Sequence, residues 1–183
     1  MEIIPVDSPA RGRALRWVMP GVAALVLAAD QVSKSLILAT HATAAGNGWI
    51  TFRLVRNTGA SGGIVSGYPV LVTLAALVIA AGAVTLAVRV RSRAAAVCLA
   101  AVCGGALGNL SDRVFRSPGF GRGAVVDWIH VMGRGGSFNI ADTAIQFGVL
   151  GALIAMFAAE RVRKAAERAG QRESGWPVQD KGF

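Results

Sequence analysis

The sequence predicts an all-α membrane protein: four transmembrane helices with a small extracytoplasmic loop region that contains β structure. Three observations predict it. Of 183 residues, 54% are hydrophobic and only 16% charged, where an average soluble domain carries about 25% charged residues. The apolar residues gather into four long runs, and a hydrocarbon core of about 30 Å needs roughly 20 helical residues to cross it. The net charge of +9 sits in clusters between those runs and not along one basic face. That distribution belongs to membrane topology and argues against a nucleic-acid binder.

Residues 1–16 are polar, with Pro5, Pro9, Arg11, Arg13 and Arg16, and read as an N-terminal tail. The first crossing runs from Trp17 to Leu38. A basic flank before a short apolar core has the look of a secretory leader, but apolar character resumes after Lys34, so the run is long enough to span. Asp30 and Lys34 are four apart and share a helix face near its far end. They are either an ion pair at the interface or a pair that orients groups in a site. From Thr40 to Gly67 the chain is polar and glycine-rich. Within it Ile50, Phe52 and Leu54 alternate with Thr51, Arg53 and Val55, the period of a short strand outside the membrane. A turn signal from Arg56 to Gly63 follows. Tyr68 to Val88 is an uncharged second crossing, stopped by Arg89, Arg91 and Arg93. Ala94 to Leu110 is the third. Its alanines and glycines let helices approach closely in lipid, and its far end carries Asn109, Asp112 and Arg113 on one face. Residues 114–137 read as a glycine-dense loop whose one apolar island is Val125 to Ile129. Ile140 to Ala159 is the fourth crossing, and residues 161–183 read as a charged C-terminal tail. The membrane domain is thus residues 17–160. Cys98 and Cys103, five apart, point to different faces and are expected to stay unbridged. With two cysteines and two histidines in all, neither a metal cluster nor a cofactor is expected.

Lysine and arginine counts give the orientation. The two tails and the 89–93 turn hold 12 of the 19 basic residues, and the opposite loops and helix ends hold 7. Both termini are therefore expected in the cytoplasm. Between Ser8 and Ala159 the acidic residues are Asp30, Asp112, Asp127 and Asp142, and all four fall on the extracytoplasmic side. Carboxylates near hydrocarbon are expensive and default to a functional reading.

Asp127 is flanked by Val125, Val126, Trp128 and Ile129, which would partly bury it. Asn139 and Asp142 stand three apart at a helix start. They form either a capping pair or, since Gln146 continues the same face, part of a polar site. Two carboxylates held close in a partly dry site share one proton. The ionised one can take a proton from water, and the protonated one can donate to a carbonyl oxygen. That is the machinery of an aspartic peptidase. His130 could assist as a base but reads better as a polar interface residue. Three rivals stand beside this reading. A proton-coupled transporter also uses intramembrane aspartates, but with repeats and broken helices near mid-span. A non-catalytic scaffold would use the charges for stability alone. A serine/lysine peptidase would pair Ser33 or Ser111 with Lys34, yet Ser33 and Lys34 are adjacent and do not face each other on a helix.

Asp30 with Lys34, Asn57-x-Gly59, Gly108-Asn109-x-x-Asp112-Arg113, Val125-Val126-Asp127 and Phe138-Asn139-x-Ala141-Asp142 together resemble the blocks of bacterial lipoprotein signal peptidase, or signal peptidase II. Order, spacing and placement against four helices agree over residues 17–160. The resemblance implies an intramembrane aspartic endopeptidase. It would remove signal peptides from diacylglyceryl-modified prolipoproteins, cutting on the amino side of the lipidated cysteine. It places the catalytic dyad at Asp127 and Asp142. Asn57, Asn109, Arg113, Asn139 and Ala141 would line the site, and Asp30, Lys34, Gly59, Gly108 and Asp112 fill the remaining motif positions. The expected setting is the bacterial inner membrane, with a monomer in contact with lipid. One departure stands out: after Asn57-x-Gly59 the family has a small residue and a phenylalanine, whereas Ala60-Ser61-Gly62-Gly63 holds no aromatic.

Overall fold

Four helices alternate with the strands of one antiparallel sheet: α1 (Pro9–Thr40), β1 (Ala45–Gly46), β2 (Ile50–Asn57), α2 (Pro69–Arg89), α3 (Arg93–Phe115), β3 (Val125–Val131), β4 (Ser137–Phe138) and α4 (Ile140–Glu173). The computed structural model describes residues 9–40, 45–46, 48–59, 67–133 and 136–173, with backbone alone for 9–16, 45, 172 and 173. Residues 1–8, the Ala60–Gly63 stretch without an aromatic and residues 174–183 lie outside the described residues. Each helix carries a span long and apolar enough to cross a membrane, with mean hydropathies of 1.6, 2.5, 1.7 and 1.8 in chain order. Large side chains such as Leu25, Leu71, Val78 and Phe157 are exposed on their outer faces, as lipid contact requires.

Helix α3 is the centre. It packs against α1, α2 and α4, and more than half of its apolar window is buried. Small residues make that possible. A Cβ added at Gly104 would stand 2.5 Å from the Ala23 carbonyl oxygen, and one at Gly105 2.5 Å from that of Ala141. With little hydrophobic drive between helices in lipid, such close backbone contact supplies much of the attraction.

Both outer helices run further than the sequence reading gave them. Helix α1 begins at Pro9, inside the stretch read as a tail, and α4 continues to Glu173. The 34 residues of α4 reach about 50 Å at about 1.5 Å per residue, well beyond the hydrocarbon. The extension has no apolar stripe, but it is rich in alanine, glutamate, arginine and lysine, all strong helix formers. Arg163 also braces it with ion pairs to Glu160 at 2.8 Å and Glu167 at 3.0 Å.

The sheet order is β1-β2-β3-β4. Strand β2 meets the expected strand, extended to Asn57. The 114–137 segment differs from its reading as a loop, since it carries β3 and β4. Its apolar island becomes a strand because β2 offers it an edge to pair with. The register of that pairing decides what faces the site. Ile50, Thr51 and Phe52 pair with Val131, His130 and Ile129, but after a bulge Val55, Arg56 and Asn57 pair with Asp127, Val126 and Val125. The bulge inserts one extra residue in β2 and reverses which side chains share a face. Without it Arg56, not Asn57, would share a face with Asp127.

Candidate active site

The site begins with a charged cluster sealed between α1 and α3. Lys34 is fully buried, and its ammonium group has three donors. They go to Asp30 Oδ2 at 2.7 Å, Asp112 Oδ2 at 2.9 Å and Asn109 Oδ1 at 3.1 Å. Arg116 closes the group with Nε 2.6 Å from Asp112 Oδ1. Two carboxylates therefore meet two cations, and the buried cluster is neutral, the condition under which such charges are tolerable. Gln31 adds hydrogen bonds to Asp30, Asp112 and the Gly108 carbonyl. Glycine is required at position 108, since a Cβ there would stand 2.6 Å from Asp30 Oδ2. Neither Gln31 nor Arg116 was among the site residues read from sequence. The signal for Arg116 was its position four after Asp112, one helical turn on.

The cluster holds two other elements in place. Asp30 Oδ1 accepts from the backbone N–H of Ala141 at 3.0 Å, satisfying one of the free donors at the start of α4. Asp112 Oδ2 accepts from the N–H of Val126 at 3.0 Å, next to Asp127 in β3. The buried aspartates thus fix the backbone beside both candidate catalytic carboxylates.

An asparagine relay then sets the side chains. Asn139 caps α4, its Oδ1 accepting from the N–H of Asp142 at 2.8 Å. Its Nδ2 donates to Asp127 Oδ1 at 2.7 Å and to Asn109 Oδ1 at 3.1 Å. Asn109 passes its own Nδ2 to Asp142 Oδ1 at 2.8 Å. From the other side Asn57 donates to Asp127 Oδ2 at 2.8 Å, and its Oδ1 accepts from the Gly59 N–H at 2.8 Å. Arg113 donates to the carbonyls of Thr58, Gly59 and Gly123, which anchors the end of β2 to α3.

Asp127 and Asp142 line one cavity of about 270 Å³, with Asn57, Gly59, Asn109 and Arg113 beside them. Its other wall is apolar, formed by Val72, Ala75 and Ile79 of α2 together with Ala106 and Ile145. Asn139 and Ala141, both fully buried, stand behind the pair instead of on the cavity wall. Asp30, Lys34, Gly108 and Asp112 are also off the cavity wall, and the ion pairs and hydrogen bonds join each expected site residue into one connected network. Burial pushes the Asp127 carboxyl up to about 7. The hydrogen bonds from Asn57 and Asn139 and the positive charge of Lys34 oppose that rise, and the Asp142 charge adds to it. His130 sits at the far end of β3, its ring nitrogen 3.1 Å from both Arg53 and the Gly136 carbonyl, and not on the wall of the cavity. Cys98 and Cys103 are both free. Among the described residues no group of histidine, cysteine and carboxylate side chains could hold a metal ion.

Residues 22–158 match the family profile described as "Signal peptidase (SPase) II". The "Lipoprotein signal peptidase" of Mycobacterium avium is 40% identical over 152 residues, 80% of this chain and 80% of that one. That of Rhodococcus jostii is 40% identical over 143 residues, 75% of this chain and 70% of that one. That of Streptomyces griseus is 42% identical over 100 residues, and the match spans only half of its length. A solved bacterial membrane enzyme at 2.3 Å resolution superposes with a TM-score of 0.64 at 28% identity, covering 75% of this chain and 85% of that one.

Proposed function

Because the chain belongs to the signal peptidase II family, we propose that this multi-pass membrane protein is an aspartic endopeptidase. Its substrates are diacylglyceryl-modified prolipoproteins, cut on the amino side of the lipidated cysteine. It works as a monomer in the bacterial cytoplasmic membrane, with both termini in the cytoplasm and Asp127 and Asp142 at the extracytoplasmic end. The observation that carries the reading is the cavity in which two carboxylates face an apolar wall. Peptide chemistry takes place on the polar side, and the wall between α2 and α4 suits a lipid-bearing chain arriving from the bilayer.

The roles divide by environment. With a carboxyl pushed up to about 7, Asp127 is the member that holds the shared proton. Asp142 accepts from Asn109 in the first turn of α4 and acts as the base. It takes a proton from water, whose oxygen attacks the scissile carbonyl carbon, while Asp127 gives its proton to the carbonyl oxygen. Collapse of the resulting diol breaks the C–N bond. The proton on Asp142 passes to the leaving amine, and Asp127 recovers its own. Asn57 and Asn139 hold Asp127 in position, and Asn109 holds Asp142.

The test uses the full chain in detergent with a synthetic prolipoprotein peptide, with and without the diacylglyceryl group. Only the lipidated peptide should be cut, and a metal chelator should leave the rate unchanged. Cleavage of the bare peptide at an equal rate would remove the lipid from the proposal. The pH profile follows from Asp127. Above about pH 7 it loses the proton that the mechanism needs, so the rate should fall on an alkaline limb centred near 7. A rate that is flat from pH 6 to 9 would contradict the assigned roles.

A further inference from the structure

Helices α2 and α4 both pack on α3, and the space between them forms a second cleft at the end of the bundle opposite the aspartates. It encloses about 460 Å³. Arg89 and Arg91 form one side, Glu160 and Arg163 the other, and Leu86 and Met156 lie on the membrane side. The charges are unequally matched. Glu160 is shared by Arg163 at 2.8 Å and Lys164 at 3.4 Å, and Arg163 also reaches Glu167. Arg89 and Arg91 make no ion pair or hydrogen bond with any described residue. The cleft therefore presents two uncompensated guanidinium groups, and Arg89 is the last residue of the apolar α2 span.

We propose that this cleft binds an anionic phospholipid, its phosphate held between Arg89 and Arg91 and its acyl chain lying along Leu86 and Met156. Guanidinium forks match phosphate oxygens two at a time, and basic pockets between helices at the membrane surface suit anionic headgroups. A free phosphate ion would satisfy the arginines but would leave the apolar wall uncovered. The order of the lining, cationic at the helix end and apolar one turn deeper, is the order of a phospholipid. The site is separate from the cavity with the aspartates and does not depend on the reaction proposed there.

The experiment follows lipid retention on the full chain in a neutral detergent by native mass spectrometry. The probes are phosphatidylglycerol, phosphatidylcholine and inorganic phosphate, against wild type and the Arg89→Gln/Arg91→Gln double variant. Wild type should hold phosphatidylglycerol in preference to phosphatidylcholine. The double variant should hold it about thirtyfold more weakly, taking about 1 kcal/mol for each arginine near a membrane surface. Millimolar phosphate should not displace the lipid. Both arginines are exposed, so the lipid-free melting point should be unchanged in the double variant. Arg91→Glu alone supplies an independent reading and should weaken retention at least as much as losing one arginine. Equal retention by wild type and variants would overturn the proposal, as would equal binding of phosphatidylcholine or displacement by free phosphate.

Discussion

Asp127→Asn and Asp142→Asn are each expected to lower the cleavage rate of a lipidated prolipoprotein at least a hundredfold, and up to about ten-thousandfold, with the protein still inserted and folded. That is the range for losing a positioned proton donor or acceptor. Because the proposed mechanism uses the two groups as one unit, the double variant should be little worse than either single one. Asparagine is also a poor structural stand-in at 127. Both oxygens of Asp127 accept, one from Asn139 and the other from Asn57. An amide offers one acceptor and one donor, so one of those neighbours would meet an N–H₂ group. Stability should move the other way. The carboxyl of Asp127 is raised from 3.8 to about 7, so between those values the folded protein binds a proton that the unfolded chain does not. Stability then falls as pH rises from about 4 to 7 and levels off above 7. Asp127→Asn removes that dependence, so its melting point should gain on wild type across that interval. Full activity in either single variant would end the dyad assignment, and parallel melting curves would end the account of Asp127 as a proton-holding group.

The four crossings were legible because lipid imposes one rule on every residue of a span, and Trp17, Tyr68, Ala94 and Ile140 each open a run that obeys it. The aspartates of the candidate site stood out for a related reason. Four carboxylates in an otherwise apolar stretch stand out, and Asp30 with Lys34 announces its pairing by spacing alone. What the sequence could not display is register. Nothing in Ile50 to Asn57 shows that one residue is extra relative to β3, since a bulge is a property of two strands together. Strand β3 itself was hidden because Asp127 and His130 interrupt its apolar character, and because its partner lies more than 60 residues away. The end of α4 was misread on the opposite ground. Its helix rests on backbone propensity and on Arg163 with its glutamates, and a search for apolar periodicity passes over both. Gln31 was missed because a lone amide between Asp30 and Lys34 carries no spacing pattern of its own.

Lys34→Met is expected to have the second largest effect, and on a different quantity. It strips the ammonium group from Asp30 and Asp112, both fully enclosed. Breaking a buried pair from one side costs about 3–5 kcal/mol, because the remaining charge has lost its compensation. For a chain of this size that corresponds to a fall in melting point on the order of 10 °C. Asp30→Asn combined with Lys34→Met removes one charge of each sign and leaves Asp112 with Arg116, 2.6 Å away. It should therefore recover part of the loss, with a coupling energy of about 1–3 kcal/mol. Activity should fall further than stability alone explains. Lys34 and Asn139 both donate to Asn109 Oδ1 at 3.1 Å, and that arrangement turns the Asn109 amide so that its Nδ2 faces Asp142. Without Lys34 only Asn139 still holds the amide oxygen and the amide is fixed less firmly, so kcat should drop while KM changes little, since no atom of Lys34 reaches the cavity. Unfolding in detergent would measure the first effect and steady-state cleavage the second. A Lys34→Met protein that melts with wild type would mean that the two aspartates find their compensation elsewhere. A rise in KM at constant kcat would instead put Lys34 in contact with the substrate.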